Sequence, residues 1–243
     1  MNYNDLKDSC IKWIRDWFEH NGRDCRAVLG MSGGKDSTVA AALCAQALGP
    51  DKVTGVAMPS VGQSLNEADE ICAYLGIRYL CVPIGGIAGE FAKISRSSGE
   101  SLSVQAEQNI PPRIRMTVLY AISQSEGGRV VNTCNLSEDY IGYATRWGDG
   151  AGDFCPLGGL TVKEIRGIGH AMGLPSKWVD KTPDDGLPHS CSDEQKFGFT
   201  YEVLDRYIRT GVCEDSAVKE KIDRMHRSNL FKLSMPDKFE PGL

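Results

Sequence analysis

The sequence predicts an α/β fold: a parallel sheet with helices on both faces, three layers deep, in a single domain over residues 1–243. Three observations predict it. Short runs rich in β-branched residues recur along the chain, helical stretches alternate with them, and glycine turns stand where a run gives way to a helix.

The elements follow in order. Leu6, Cys10, Trp13, Ile14, Trp17 and Phe18 share one helical face, and Asn21-Gly22 ends it, so a helix opens the chain. Its Trp13, Trp17 and Phe18 stripe is read as a contact with a second copy of the chain, in preference to core. Residues 26–31 (RAVLGM) read as a buried strand, followed by the turn 32–37 (SGGKDS) and an Ala-rich helix ending near Leu48-Gly49. Residues 52–58 and 78–84 form the next strands around a helix over 66–75 that Gly76 closes. Pro111-Pro112 opens a helix running to about Ser125, and residues 129–133 give a fourth strand. From 134 to 156 no period survives among Gly142, Gly148, Gly150 and Gly152, which marks a long functional loop. Helices resume at about 162–172, 201–208 and 215–227. Polar segments at 95–109 and 183–193 are candidate lids that would close over a substrate.

Lys plus Arg total 27 and Asp plus Glu total 32, so the formal charge of −5 argues against a broad grip on nucleic acid and favours small-molecule substrates. No run of about 18 apolar residues is present, so no membrane span is expected. The nine cysteines include no CxxC pair and read as small buried hydrophobes in a reducing compartment. With a polar N-terminus lacking an apolar signal core, a cytoplasmic location is expected. The four histidines show no metal-ligand spacing.

Chemistry concentrates in Ser32-Gly33-Gly34-Lys35-Asp36-Ser37. Two adjacent glycines let backbone amides approach an anion at a helix N-terminus, and the serine hydroxyls add donors. Asp36 would repel a bare polyphosphate there but suits a divalent cation that bridges to phosphate oxygens. The GxxxxGK[ST] pattern fails at Leu29 and Asp36, and GxGxxG fails as well. Glu138 has two readings at this point: a metal ligand, or a helix-start acid favoured by the helix dipole. Arg113 and Arg115 read equally as solvated surface groups.

SGGKDS in this position resembles the loop of the ATP pyrophosphatases, which cleave ATP between the α and β phosphates to adenylate a substrate. Further along stand Pro112-Arg113-Ile114-Arg115-Met116, Asn132-Thr133-Cys134-Asn135-Leu136-Ser137-Glu138, Arg146-Trp147-Gly148-Asp149-Gly150, Asp153, Pro156-Leu157 and Lys181-Thr182-Pro183. In that order and spacing they resemble the ammonia-dependent NAD synthetases, from about Leu6 to Pro241. The resemblance implies an adenine nucleotide alpha hydrolase-like, Rossmann-like fold and a homodimer. It implies an ATP-dependent amidation of deamido-NAD with ammonia through an adenylated intermediate, releasing AMP and pyrophosphate. ATP is then a co-substrate and Mg2+ the cofactor, held by Asp36 and Glu138. ATP contacts fall on Gly30, Met31, Ser32, Gly33, Gly34, Lys35, Asp36, Ser37, Thr133, Lys163 and Asp184. Deamido-NAD contacts fall on Arg113, Arg146, Asp153, Phe231 and Lys232. Catalytic roles fall on Asp36, Glu138 and Asp149, the last orienting or deprotonating ammonium. The chain departs from the usual pattern at Ala57, Val162, Asp184 and Phe231. A tRNA-thiolating pyrophosphatase and a non-catalytic nucleotide sensor are the alternatives. The resemblance occupies the whole length, leaving no room for a glutaminase domain, so free ammonia is the expected nitrogen source.

Overall fold

The computed structural model of the chain describes residues 2–60, 66–97, 99, 101–181 and 192–240. The first half runs α1 (Tyr3–Asn21), β1 (Arg26–Gly30), α2 (Lys35–Leu48), β2 (Val53–Ala57), α3 (Asn66–Leu75), β3 (Arg78–Cys81), α4 (Gly85–Ser97), α5 (Val104–Gln108), α6 (Ile110–Ser125) and β4 (Gly128–Val130). The second half is helical: α7 (Leu136–Ile141), α8 (Val162–Ala171), α9 (Ser176–Val179), α10 (Asp193–Phe197), α11 (Tyr201–Thr210) and α12 (Ser216–Asn229).

The four strands are parallel in the order β3-β2-β1-β4. Alternation along the strands sorts their side chains onto two faces. Ala27, Leu29, Val53 and Ala57 pack with α1, α2, α3 and α8, whereas Val28, Val56 and Val130 pack with Met116 and Leu119 of α6. This is the three-layer parallel architecture that the sequence predicts. A third apolar cluster, formed by Ile141, Val162, Phe197, Tyr201, Leu204 and Ile222, ties the C-terminal helices to α7 and α8.

Several expectations are corrected. Residues 95–109 are mostly helical, not a polar loop, because α4 runs to Ser97 and the Ser103 hydroxyl caps α5 by accepting from Ala106 N at 3.2 Å. The 134–156 segment contains α7, whose six residues are too few to show a 3.6-residue period. Trp17 and Phe18 belong to the core rather than to a subunit contact. Phe18 is fully buried, and both rings pack on Phe154, with centroids at 4.6 and 5.2 Å. Only Trp13 keeps a largely exposed face. Cys44, Cys72 and Cys134 are buried as expected, but Cys81 is exposed.

Strands β3 and β4 end earlier than 84 and 133. Past β4, Val131 N still donates to Val28 O of β1 at 2.9 Å, while residues 131–132 pair on the other side with 153–154: Asn132 N donates to Phe154 O at 2.8 Å. The Asp153 carboxylate fixes this junction by accepting from Val130 N at 2.7 Å. The chains approach so closely that a Cβ on Gly152 would lie 2.7 Å from Asn132 N. Among the described residues, no helix is long and apolar enough to cross a membrane.

A buried carboxylate locks α7, α8 and α11 together. Asp205 accepts from Ser137 Oγ at 2.5 Å and from Lys163 N at 2.8 Å, while Val162 N donates to Ser137 Oγ at 3.1 Å. It thereby serves first-turn amides of α8 that the helix itself leaves unpaired. Asp205→Ala is expected to destabilise the fold by about 2 kcal/mol, because buried donors lose their acceptor. Urea unfolding checks this as a lower midpoint at unchanged slope.

Candidate active site

The winding of the sheet reverses between β1 and β4: α2 and α3 cover one face, and the return through α6 covers the other. In such sheets the loops beyond the C-terminal ends of the two strands flank a crevice where ligands bind. One of those loops carries residues 31–34 and the other residues 131–135.

Beyond β1 the chain needs a conformation that only glycine takes readily: Gly33 has φ +79°, and a Cβ there would press on Glu67 at 3.0–3.1 Å. Gly34 then caps α2 with no side-chain hydrogen bond to its first amides, leaving them open to an anion. Ser32 Oγ lies 3.2 Å from Ser37 Oγ, which donates to Gly34 O at 3.1 Å. Met31 is buried, donating its N–H to Val56 O at 2.8 Å, so it supports the loop from beneath. Lys35 is also buried, 3% exposed, and its Nζ donates to Asp36 Oδ2 at 2.7 Å. Burial alone would lower its pKa, but the carboxylates of Asp36 and Glu138 outweigh this, and the net direction is upward.

Beyond β4, Asn135 is completely buried and serves both carboxylate-bearing helices. Its amide oxygen accepts from Glu138 N at 3.0 Å, capping α7, and its amide nitrogen donates to Asp36 Oδ1 at 3.3 Å. Glu138 is half-buried as a residue, but its carboxyl is enclosed. Burial and the nearby Asp36 charge push its pKa up to about 8, against the opposing pull of Lys35. Asp36 and Glu138 thus converge. Thr133 lies in the same loop, half-buried, while Lys163 stands exposed in the first turn of α8.

A second group of side chains gathers around Arg146. Its guanidinium lies between the rings of Trp147 and Phe231, at 5.1 and 5.3 Å from their centroids, and Nη2 donates to Ser234 O at 3.1 Å. Trp147 adopts φ +63°, an uncommon conformation for a bulky residue. Arg113 Nε donates to Arg146 O at 3.3 Å, and Lys232 Nζ donates to Gly142 O at 2.8 Å. Among the described residues neither Arg113 nor Arg146 has a carboxylate partner. A cavity of about 210 Å³ lies here, with Asn132, Asp139, Arg146, Cys155 and Lys232 in its lining. A larger cleft of about 320 Å³, between Phe199 and Val218, lies away from all these groups.

Asp149 is exposed and holds its own turn by accepting from Thr145 N at 3.0 Å. Asp153 lies at the sheet junction described above and also accepts from Tyr120 Oη at 3.3 Å. Asp184 and residues 182–191 of the expected lid lie outside the described residues. Sequence reasoning missed Asn135, Asp205 and Tyr201. An asparagine three residues ahead of Glu138 is a recognisable helix cap and gave a signal for the first; the other two had none.

The family model described as NAD synthase matches residues 6–236. The NH(3)-dependent NAD(+) synthetase of Finegoldia magna is 34% identical over 246 residues, which span 99% of this chain and 98% of that one. The enzyme of the same name from Carboxydothermus hydrogenoformans is 33% identical over 98% of each chain. Among solved structures, the NMN synthetase of Francisella tularensis superposes with a TM-score of 0.88 at 27% identity, over all of both chains. The NH3-dependent NAD synthetase of Campylobacter jejuni gives 0.79 at 28% identity, over 99% of this chain and 100% of that one.

Asn135→Ala is expected to lower stability by about 1–3 kcal/mol, since it removes a helix cap and a buried donor to Asp36 together. Thermal unfolding of the free protein checks this.

Proposed function

The chain belongs to the NAD synthase family, and from that premise we propose that it uses ATP and free ammonia to convert the nicotinate carboxylate of deamido-NAD into the amide of NAD. The observation that carries the reading is an open-amide glycine loop with two converging carboxylates at the winding reversal, next to a cavity that Asn132, Arg146 and Lys232 line.

A carboxylate is a poor acyl donor because its leaving group would be oxide; attaching AMP makes that oxygen a phosphate leaving group. In the first step the nicotinate carboxylate attacks the α-phosphorus in line, and pyrophosphate departs. The open amides of α2 with Ser32 and Ser37 cradle the phosphates, while Gly30, Met31 and Gly34 shape the loop. Thr133, Lys163 and Asp184 complete the ATP contacts. Lys35 is committed to Asp36, so its role is to place that carboxylate; the exposed Lys163 is the better cation for departing pyrophosphate. In the second step ammonia attacks the activated carbonyl and AMP leaves. No protein nucleophile is required, so catalysis is positioning and electrostatic stabilisation.

Magnesium fits Asp36 and Glu138. Two carboxylates repelling one another in an enclosed place suit a divalent ion, and magnesium characteristically takes one or two carboxylates plus substrate phosphates. When bound it supplies charge neutralisation at the phosphate oxygens. Arg113, Arg146 and Lys232 hold the phosphates of the second substrate, Phe231 backs Arg146 through its ring, and Asp153 supports the wall they line. Asp149 orients ammonium and takes the proton it must lose before it attacks, and its exposed position lets that proton pass on to solvent. A second copy of the chain has an apolar surface available on α4, where Ile87, Phe91 and Ile94 are all at least half exposed. We read the chain as a single cytoplasmic synthetase domain that works as a homodimer.

One observation favours a second reading: the superposition on the NMN synthetase of Francisella tularensis covers both chains completely. Nicotinate mononucleotide carries the same reacting carboxylate and lacks the adenylate half, so the same chemistry would yield nicotinamide mononucleotide.

The deciding assay supplies ATP, magnesium and ammonium with either deamido-NAD or nicotinate mononucleotide. NAD, AMP and pyrophosphate are expected in equal amounts from the first. A larger kcat/KM for the mononucleotide would favour the second reading, and no amide from either would end both. Asp36→Ala is expected to lose pyrophosphate release. Asp149→Asn is expected to lower amide formation about a hundredfold or more while the first step still releases pyrophosphate, a difference resolved by following the two products separately.

A further inference from the structure

Tyr201 opens α11 and is 4% exposed, but its hydroxyl has no hydrogen-bond partner among the described residues. Buried hydroxyls are nearly always paired, so an orphan needs an explanation. Everything else about the residue is fixed. Its backbone N–H donates to Glu194 Oε1 at 2.8 Å, and its ring meets Phe197 edge-on at 6.0 Å within the C-terminal apolar cluster. The ring also lies beneath a residue of the glycine loop, with Lys35 Nζ over it at 5.9 Å from its centroid.

Tyr143 provides an internal comparison. Its hydroxyl donates to Asp193 Oδ1 at 2.8 Å, so the neighbouring carboxylate is taken by one tyrosine and not by the other. The charged groups bearing on the Tyr201 phenol are the carboxylates of Glu138, Asp193 and Asp36; with burial they drive its pKa far upward. The phenol therefore stays a donor at any working pH, and no acceptor among those carboxylates comes within hydrogen-bond reach.

We propose that Tyr201 is a nucleotide-binding residue whose hydroxyl donates to a triphosphate oxygen of ATP held by the glycine loop beside Asp36 and Glu138. This rests on the ATP reading of the site. It gives the orphan an acceptor that is present only when nucleotide is bound. The hydroxyl is then a functional group that the free fold carries unpaired, and the ring beneath it is ordinary core.

The test compares Tyr201→Phe with Tyr143→Phe. Scanning calorimetry reads the unfolding temperature of each free protein, and titration calorimetry reads binding of magnesium α,β-methylene-ATP, which cannot be cleaved at the scissile bridge. Tyr201→Phe should unfold no earlier than the parent protein yet bind the analogue roughly ten- to a hundredfold more weakly, the worth of a hydrogen bond to a charged group. Tyr143→Phe should unfold earlier, because it removes the hydroxyl that donates to Asp193 and accepts from Lys196. Parental affinity in Tyr201→Phe would overturn the proposal while leaving the ATP reading intact. So would an unfolding temperature lowered as far as in Tyr143→Phe, since the hydroxyl would then have a structural partner. A parent protein that does not bind the analogue would overturn the ATP reading and the proposal together.

Discussion

Two carboxylates, Asp36 and Glu138, are held where their charges oppose one another, and much of the structure around the crevice exists to keep them there. Enclosure and the nearby Asp36 charge raise the cost of the charge on Glu138, as its elevated pKa shows. The fold meets this with three groups. Lys35 offers a buried ammonium to Asp36, Asn135 bridges Asp36 to the α7 N-terminus, and the first amides of α7 favour an acid in its opening turn. Take away Lys35 or Asn135 and the charged form of the pair becomes still less favourable.

Support runs outward from that pair. Asn135 can bridge only because β4 and β1 are adjacent and their loops face each other across the winding reversal. Helix α7 stays in place because Ser137 and Asp205 fasten it to α8 and α11, and the fastening spends a buried carboxylate on helix-start amides. The aromatic group of Trp17, Phe18 and Phe154 anchors the far side of the 153–154 pairing, so the wall that carries Arg146 stands on the core. On that wall Arg113 and Arg146 have no carboxylate partner among the described residues, and with the open amides of the glycine loop they offer two places suited to anions.

Much of this was legible in the sequence because local chemistry decided it. The SGGKDS loop announces itself through adjacent glycines, one of them at a positive φ, and through its place between a strand and a helix. The α3 boundaries, 66–75, follow from amphipathic spacing and a closing glycine. Other features were hidden for identifiable reasons. Helix α4 opens with two glycines and half-buries only the small residues Gly85, Ala88, Ala92 and Ser95, while Ile87, Phe91 and Ile94 face outward, so its large apolar residues do not mark the side that packs. Helix α7 is shorter than two turns. The Trp13, Trp17 and Phe18 stripe has the same spacing whether it meets Phe154 of its own chain or another molecule.

The sequence by itself determined the fold class, the order of the four strands along the chain, the glycine loop and the family, because each rests on residue type and spacing along the chain. Only the tertiary structure decided which groups meet: that Lys35 turns inward to Asp36, that Asn135 spans 99 residues to reach it, that Asp149 faces solvent, and that Tyr201 is buried beneath Lys35 with its hydroxyl unpaired among the described residues. Those outcomes depend on how the sheet reverses its winding and how the C-terminal helices pack against α7. Such long-range constraints fix distances between residues whose separation along the chain carries no trace of them.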